Sequence, residues 1–267
     1  MSILINSSVI AQQQPSFTQF PEILQHYNPA LTGKEVGTKL NCLYRNQWIG
    51  FPGAPRSLVM GFEMAKENRN TALGALVESN TIGISEQFTG TFNYRYKIKL
   101  NNLNLNLGIN ASLRNNTVDY TDPRLRGTQP ISRDPAVPGN KVSKLYPNCG
   151  VGVSLTGGQY FISFGAPRIL QFKTEPGANS ESEKIHYYAA LGLNFELQNS
   201  VQFIPTVLIK LLPKTPLSTD LNMLFAFQDT YQVGCNIRFG GNISGIAESA
   251  ALIAGMKISR DFKVAVS

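Results

Sequence analysis

The sequence predicts an all-β protein: a transmembrane up-and-down antiparallel β-barrel of about 14 strands when complete. Three observations carry that prediction. The first is strict alternation of apolar and polar residues over long segments. In LNLNLGINASLR at 103–114, Leu103, Leu105, Leu107, Ile109, Ala111 and Leu113 face one way. Asn104, Asn106, Gly108, Asn110, Ser112 and Arg114 face the other. This is the period of a strand, and the run is about twice the usual strand length. The second is composition. Charged residues make up 15% of the chain while hydrophobic content is 42%, against roughly 25% charged in an ordinary soluble domain. The polar share consists of Asn, Gln, Ser, Thr and Gly, which suit a hydrated interior. The third is the rhythm of the connections, every second one tight and the others longer, as in outer-membrane barrels. No run of ~18 apolar residues marks a transmembrane helix.

Taken in order, residues 1–11 read as the remnant of a secretory signal peptide, with Val9 and Ala11 at the −3 and −1 positions before Gln12. Residues 12–34 read as an N-terminal plug or periplasmic segment. Pro15, Pro21 and Pro29 keep it out of sheet pairing, and its apolar Phe17, Phe20, Ile23, Leu24 and Tyr27 demand cover from water. Only Glu22–His26 suggests a helical turn. Residues 35–267 read as the barrel. Alternation marks strands at 36–45, 56–65, 72–79, 87–99, 103–114, 148–156, 159–166, 185–197, 201–211, 217–227, 231–240, 249–258 and 261–267. The tight connections are KENRNT, LNN, TGG, QNS, QDT and SRD. The longer ones are RNQWIGFPGAP, NTIGISE, 115–147, 167–184, PKTP and GGNISGIAE. Thirteen strands do not close an antiparallel barrel, so the count predicts that this chain lacks its last strand and is C-terminally incomplete. Pro205, inside the ninth segment, predicts a bulge.

The polar faces carry Lys39, Arg45, Arg95, Lys97, Arg114, Lys210 and Arg238 against Glu63, Glu196 and Asp220. A mildly basic lumen follows. The net charge of +7 is scattered about one per strand with no basic run, so no nucleic-acid partner is expected. Cys42, Cys149 and Cys235 lack CxxC spacing and read as small apolar fillers. His26 and His186 lack an HExxH context, and neither a GxSxG elbow nor a P-loop is present. The chain therefore predicts no enzyme, no metal and no cofactor.

The stretch QQQPSFTQFPEILQHYNPALTG, followed by LYRNQWIGFPGAPRS, resembles the start of the PorP/SprF family. The matching positions are Asn28, Pro29, Ala30 and Gly33, then Arg45, Asn46, Gln47 and Trp48, then Gly50, Gly53, Ala54 and Pro55. Leu31 and Thr32 depart from it, standing where that family commonly has an aromatic residue and Ala. The resemblance implies a non-enzymatic outer-membrane barrel of the Bacteroidetes type IX secretion system. Such a protein supports assembly or anchoring of the machinery, or export and surface attachment of large adhesins of the gliding-motility type. Its partners would be outer-membrane lipid, other secretion components and the adhesin cargo, with the matching residues as plug and loop contacts. FadL-type channels for small, hydrophobic solutes also have an NPA sequence and an N-terminal plug, and offer the other reading. In physical terms, Asn28 is held extended by Pro29, and Gly33 permits a sharp turn into the first strand. Trp48, the single tryptophan, lies beside Phe51 in the first long loop. It reads as a girdle aromatic, a partner contact or a lumen-packing residue.

Overall fold

A computed structural model describes residues 15–124, 139–172, 184–197, 200–213, 215–228, 230–240 and 247–267. The expected signal remnant at 1–11 and the central parts of the 115–147 and 167–184 loops lie outside the described residues.

One antiparallel sheet contains all the strands. They are β1 (Gly37–Asn46), β2 (Arg56–Ala65), β3 (Thr71–Ile82), β4 (Ser85–Leu100), β5 (Leu103–Asp119), β6 (Lys141–Thr156) and β7 (Tyr160–Ala166). β8 (Tyr187–Leu193), β9 (Phe195–Leu197), β10 (Val201–Leu211), β11 (Ser218–Phe227), β12 (Tyr231–Phe239), β13 (Ala247–Ser259) and β14 (Phe262–Val266) follow. Each strand pairs with its neighbours in sequence, and β8 and β9 both pair with β10 as two halves of one stave broken at Asn194. All thirteen predicted segments carry strands. Among the described residues no helix is long and apolar enough to cross a membrane.

Burial is inverted relative to a soluble sheet. Asn93, Asn106, Asn110, Asn148, Ser154, Asn222 and Asn236 are buried, while Phe62, Phe92, Ile109, Leu113, Phe164 and Val233 are exposed. Within β5, Asn106 is 0% exposed and its neighbour Leu107 45%. The polar face of the alternation looks inward and the apolar face outward, the reverse of the usual sorting.

Three differences from the sequence prediction have local causes. β4, β5 and β6 are 16, 17 and 16 residues long. Pairing continues to Asp119 opposite Lys141, inside the stretch expected as loop, because Asn115, Asn116 and Ser143 keep the ladder after the apolar alternation fades. The expected NTIGISE connection shrinks to Gly83 and Ile84, with Ile82 paired to Ser85 and Gly83 at φ +58. The predicted irregularity at Pro205 falls on the neighbouring stave instead. The register on either side, Thr206 opposite Gly192 and Phe203 opposite Phe195, places Pro205 opposite Leu193, beside the break at Asn194. Proline has no N–H to give there.

The ladder path ends at β1 and β14, and no pairing joins these two edges among the described residues. The fold gives no support to a missing last strand, since the predicted segments are all accounted for. The expectation for Pro205→Val is a restored donor and slower amide hydrogen exchange at Leu193, Asn194 and Phe195. Unchanged exchange there would assign the break to another cause.

Candidate functional site

Residues 16–33 cross the polar face of the sheet in short turns: Phe20–Ile23, α1 (Leu24–Tyr27) and Pro29–Leu31. Pro21 and Pro29 sit at turn starts, where a missing N–H costs nothing. Asn28 is extended, φ −150 and ψ 115, as a residue before proline prefers. Its Oδ1 accepts the Ala30 N–H at 2.8 Å and caps the last turn. Along this course Ser16 meets Lys210 on β10, and Thr18 meets Asn222 on β11. Gln19 meets Ser267 after β14, and Glu22 meets Asn41 on β1. Asn28 bonds Val153 on β6. One short segment therefore touches strands from both ends and the middle of the sheet, and the sheet curls around it.

The seat is a row of small residues in register. Gly37, Ala65 and Ala72 are ladder partners in succession, then Arg95, then Gly108, Gly152 and Gly165. The segment lies along this row. A Cβ on Gly108 would strike the backbone of Pro29 and Ala30, and one on Gly152 or Gly165 would strike Asn28. Gly33, at φ +58, closes against Ala65 and Ala72, where its own Cβ would come within 2.9 Å of both. On the adjacent row Gly74 gives way to Gln25 and Thr32. The close approach brings polar partners into range. Asn28 Nδ2 donates to the Val153 carbonyl at 3.2 Å, and Ser154 Oγ donates to the Ala30 carbonyl at 3.2 Å. Gly33 N–H donates to Glu63 Oε2 at 2.5 Å. Gln25 accepts from Asn93 at 3.1 Å and donates to the Phe62 carbonyl at 3.2 Å.

An apolar cluster holds the other side of the segment. Phe17, Phe20, Ile23, Leu24, Tyr27 and Leu31 pack with Val59, Leu76, Phe161, Tyr188, Ala190 and Leu208, with Leu43 beside them. Tyr27 and Tyr188 meet edge-on at 5.2 Å. Each fully buried large apolar side chain contributes about 1.5–3 kcal/mol, against roughly 1 kcal/mol for a hydrogen bond. The apolar contacts thus supply most of the docking energy, and the glycine row and its bonds fix the position.

Charge is placed at a few points. The Glu22 carboxylate bonds Lys39 of β1 at 3.1 Å and also Lys263 of β14, so it spans the unpaired edges. Burial pushes the Glu22 carboxyl up, but the two ammonium groups outweigh it and hold its pKa at about 2. His26 Nδ1 stands 3.7 Å from Glu78, and burial lowers the imidazole pKa despite that carboxylate. Asp220, fully buried, takes Lys210 at 2.5 Å and Arg238 at 2.6 Å. Of the residues expected on the polar face, Glu196 is exposed at the rim, unlike buried Glu63, Arg95 and Asp220.

The residues singled out in the sequence fall into two groups that do not meet. Asn28, Pro29, Ala30 and Gly33 lie on the small-residue row. The rest lie at the far end of β1. There Arg45 Nη1 donates to Gln47 Oε1 at 2.9 Å, and Asn46 pairs with Arg56. Gln47 N–H donates to the Pro55 carbonyl, Ala54 N–H to Phe51, and Gly83 N–H to Gly53. Trp48 has φ +49, Gly50 +97 and Gly53 +77, and Trp48 points away from the interior. Sequence reading missed the glycine row and the inward apolar patch. Leu43, Val59, Leu76 and Leu208 stood as interruptions of the polar face and were the available signal. The three cysteines are free. Among the described residues no group of three or more His, Cys, Asp or Glu side chains lies together.

The sequence model of a family described as type IX secretion system membrane protein PorP/SprF matches residues 9–267. No curated protein and no solved structure matches.

Gly108→Ala should lower stability by about 1–3 kcal/mol through the clash with the Pro29–Ala30 backbone. Gly90→Ala, with open space around the new methyl, should leave it unchanged or slightly raised; urea unfolding of the refolded protein compares them. For Glu22, a folded pKa near 2 against 4.5 means stabilisation present above pH 4.5 and lost as pH falls towards 2. Glu22→Gln should flatten that part of the stability–pH curve, and an unaltered curve would discount the Lys39–Glu22–Lys263 tie.

Proposed function

The chain belongs to the PorP/SprF family of type IX secretion system membrane proteins, and from that premise we propose a non-enzymatic outer-membrane barrel plugged by residues 12–34. Its work is contact with other proteins: assembly or anchoring of the secretion machinery, or export and surface attachment of large adhesins of the gliding-motility type. The expected signal at residues 1–11 fits delivery to that membrane.

The observation that carries this reading is the seated N-terminal segment. Its apolar side chains are buried against inward-facing wall residues, so the interior is spent on holding the segment. A solute path would have to displace that cluster. The location is supported by the inverted burial, because an exposed apolar belt on a sheet in which ten strands have 9 residues or more suits a hydrocarbon layer, which a tilted strand of ~9–11 residues spans. Closure is part of the proposal. β1 and β14 run in the same direction, and the Glu22 carboxylate bridges these two edges through Lys39 and Lys263. The lipid-facing belt and the adhesin cargo belong to the same reading.

Deleting the gene should remove one or a few large proteins from the cell surface and leave small-solute uptake unchanged. The purified protein should conduct little in a planar bilayer. Surface proteomics and bilayer conductance measure the two halves. A large, solute-selective conductance with an unchanged surface proteome would favour the FadL-like channel.

A further inference from the structure

We propose that the β1–β2 loop is a lipid anchor, with Trp48, Ile49 and Phe51 seated at the boundary between headgroups and acyl chains. The proposal rests on the membrane reading above. Three successive large side chains are left uncovered: Trp48 is 69% exposed, Ile49 82% and Phe51 72%. That exposure rules out packing in the interior.

The loop is built to present them. Residues 47–55, QWIGFPGAP, contain no charged side chain. The backbone satisfies part of its own demand: Gln47 N–H bonds Pro55, Phe51 N–H bonds Trp48, and Ala54 N–H bonds Phe51, at 3.0 to 3.2 Å. Gly83 N–H reaches the Gly53 carbonyl at 2.9 Å and ties the loop sideways to the β3–β4 turn. Arg124 Nη2 donates to the Gly83 carbonyl at 3.1 Å and braces the same corner. A loop so held lies along the rim and shows apolar groups outward.

Its surroundings favour lipid as the occupant. Leu40 and Tyr44 are exposed on β1, Ile82 on β3 and Phe88 on β4. Leu40, Tyr44 and Phe88 belong to the outward apolar face of the wall, and a rim row of exposed Asn46, Arg56, Thr81 and Glu86 lies between that face and the loop, as polar groups do at headgroup depth. Arg56, exposed where the loop returns to β2, is placed to meet lipid phosphate. An indole at that depth keeps its ring in apolar surroundings and its N–H among polar headgroups.

Trp48 is the chain's single tryptophan, so its emission reports this loop alone. The protein is refolded into phosphatidylcholine vesicles whose acyl chains are brominated either near the glycerol or near the chain ends. Folding is checked by heat-modifiable gel mobility. Trp48 emission should be strongly quenched by the shallow bromines and weakly by the deep ones. A Trp48→Phe, Leu107→Trp double variant supplies a mid-wall reporter, expected to answer to the deep bromines. If the mid-wall reporter is quenched while Trp48 is unquenched and emits as in water, the anchor is wrong and the membrane reading stands. Stronger quenching of Trp48 by the deep bromines would also overturn the boundary placement. If neither reporter is quenched, the membrane reading falls and the anchor with it.

Discussion

Everything inside the sheet depends on how closely the backbone of Asn28–Gly33 approaches the wall. At Gly108, Gly152 and Gly165 the distance leaves no room for a single methyl group. Only at that range can Asn28 reach the Val153 carbonyl and Ala30 the Ser154 hydroxyl. The approach also enforces register. These glycines are direct ladder partners, and a slip of one residue would turn a side chain into the segment's path. The small-residue row thus acts as a key for strand pairing as well as a seat.

The rest of the interior solves a problem of polarity. A wall that faces inward with Asn, Ser, Thr and charged groups must satisfy them once a segment covers them. Local pairings do part of this, while Asn93 Oδ1, Asn110 Oδ1 and Asn236 Nδ2 stay buried without a partner among the described residues. Asn106 reaches Ser154 and Thr156 across the β5–β6 ladder. Buried Asp220 is matched by Lys210 and Arg238 on either neighbour, and Lys210 also reaches Ser16. Under the segment, Val59, Leu76, Phe161, Tyr188, Ala190 and Leu208 give the inner face an apolar patch that the segment's own apolar side chains meet. The inner face is therefore a composite, polar by default and apolar under the segment.

Much of this architecture was legible in the sequence, because a period of two survives wherever the two faces meet different media. Segments such as 56–65 and 201–211 coincide with strands to the residue. Legibility failed where the contrast between faces vanished. In 115–119 and 141–147 polar and apolar residues mix on both faces near the rim, yet pairing goes on. The break at Asn194 has its counterpart in a proline on another strand, and only a known register brings the two together. The glycine row was hidden for the same reason. Gly108, Gly152 and Gly165 stand far apart in sequence and become one surface only through pairing. The NPA stretch and Gly33 could be picked out as unusual, but what they press against could not.

The Gln19–Ser267 contact joins residues 248 apart, and that separation has a kinetic meaning. The segment leaves the ribosome before the strands that form its seat. Its docking closes a loop of 248 residues between Gln19 and Ser267, which makes it a late event. Until then Phe17, Phe20, Ile23 and Leu24 have no partner, and an unsheltered apolar stretch is prone to aggregate. A chaperone that holds an unfolded chain by its apolar stretches would find this one first and give it up last.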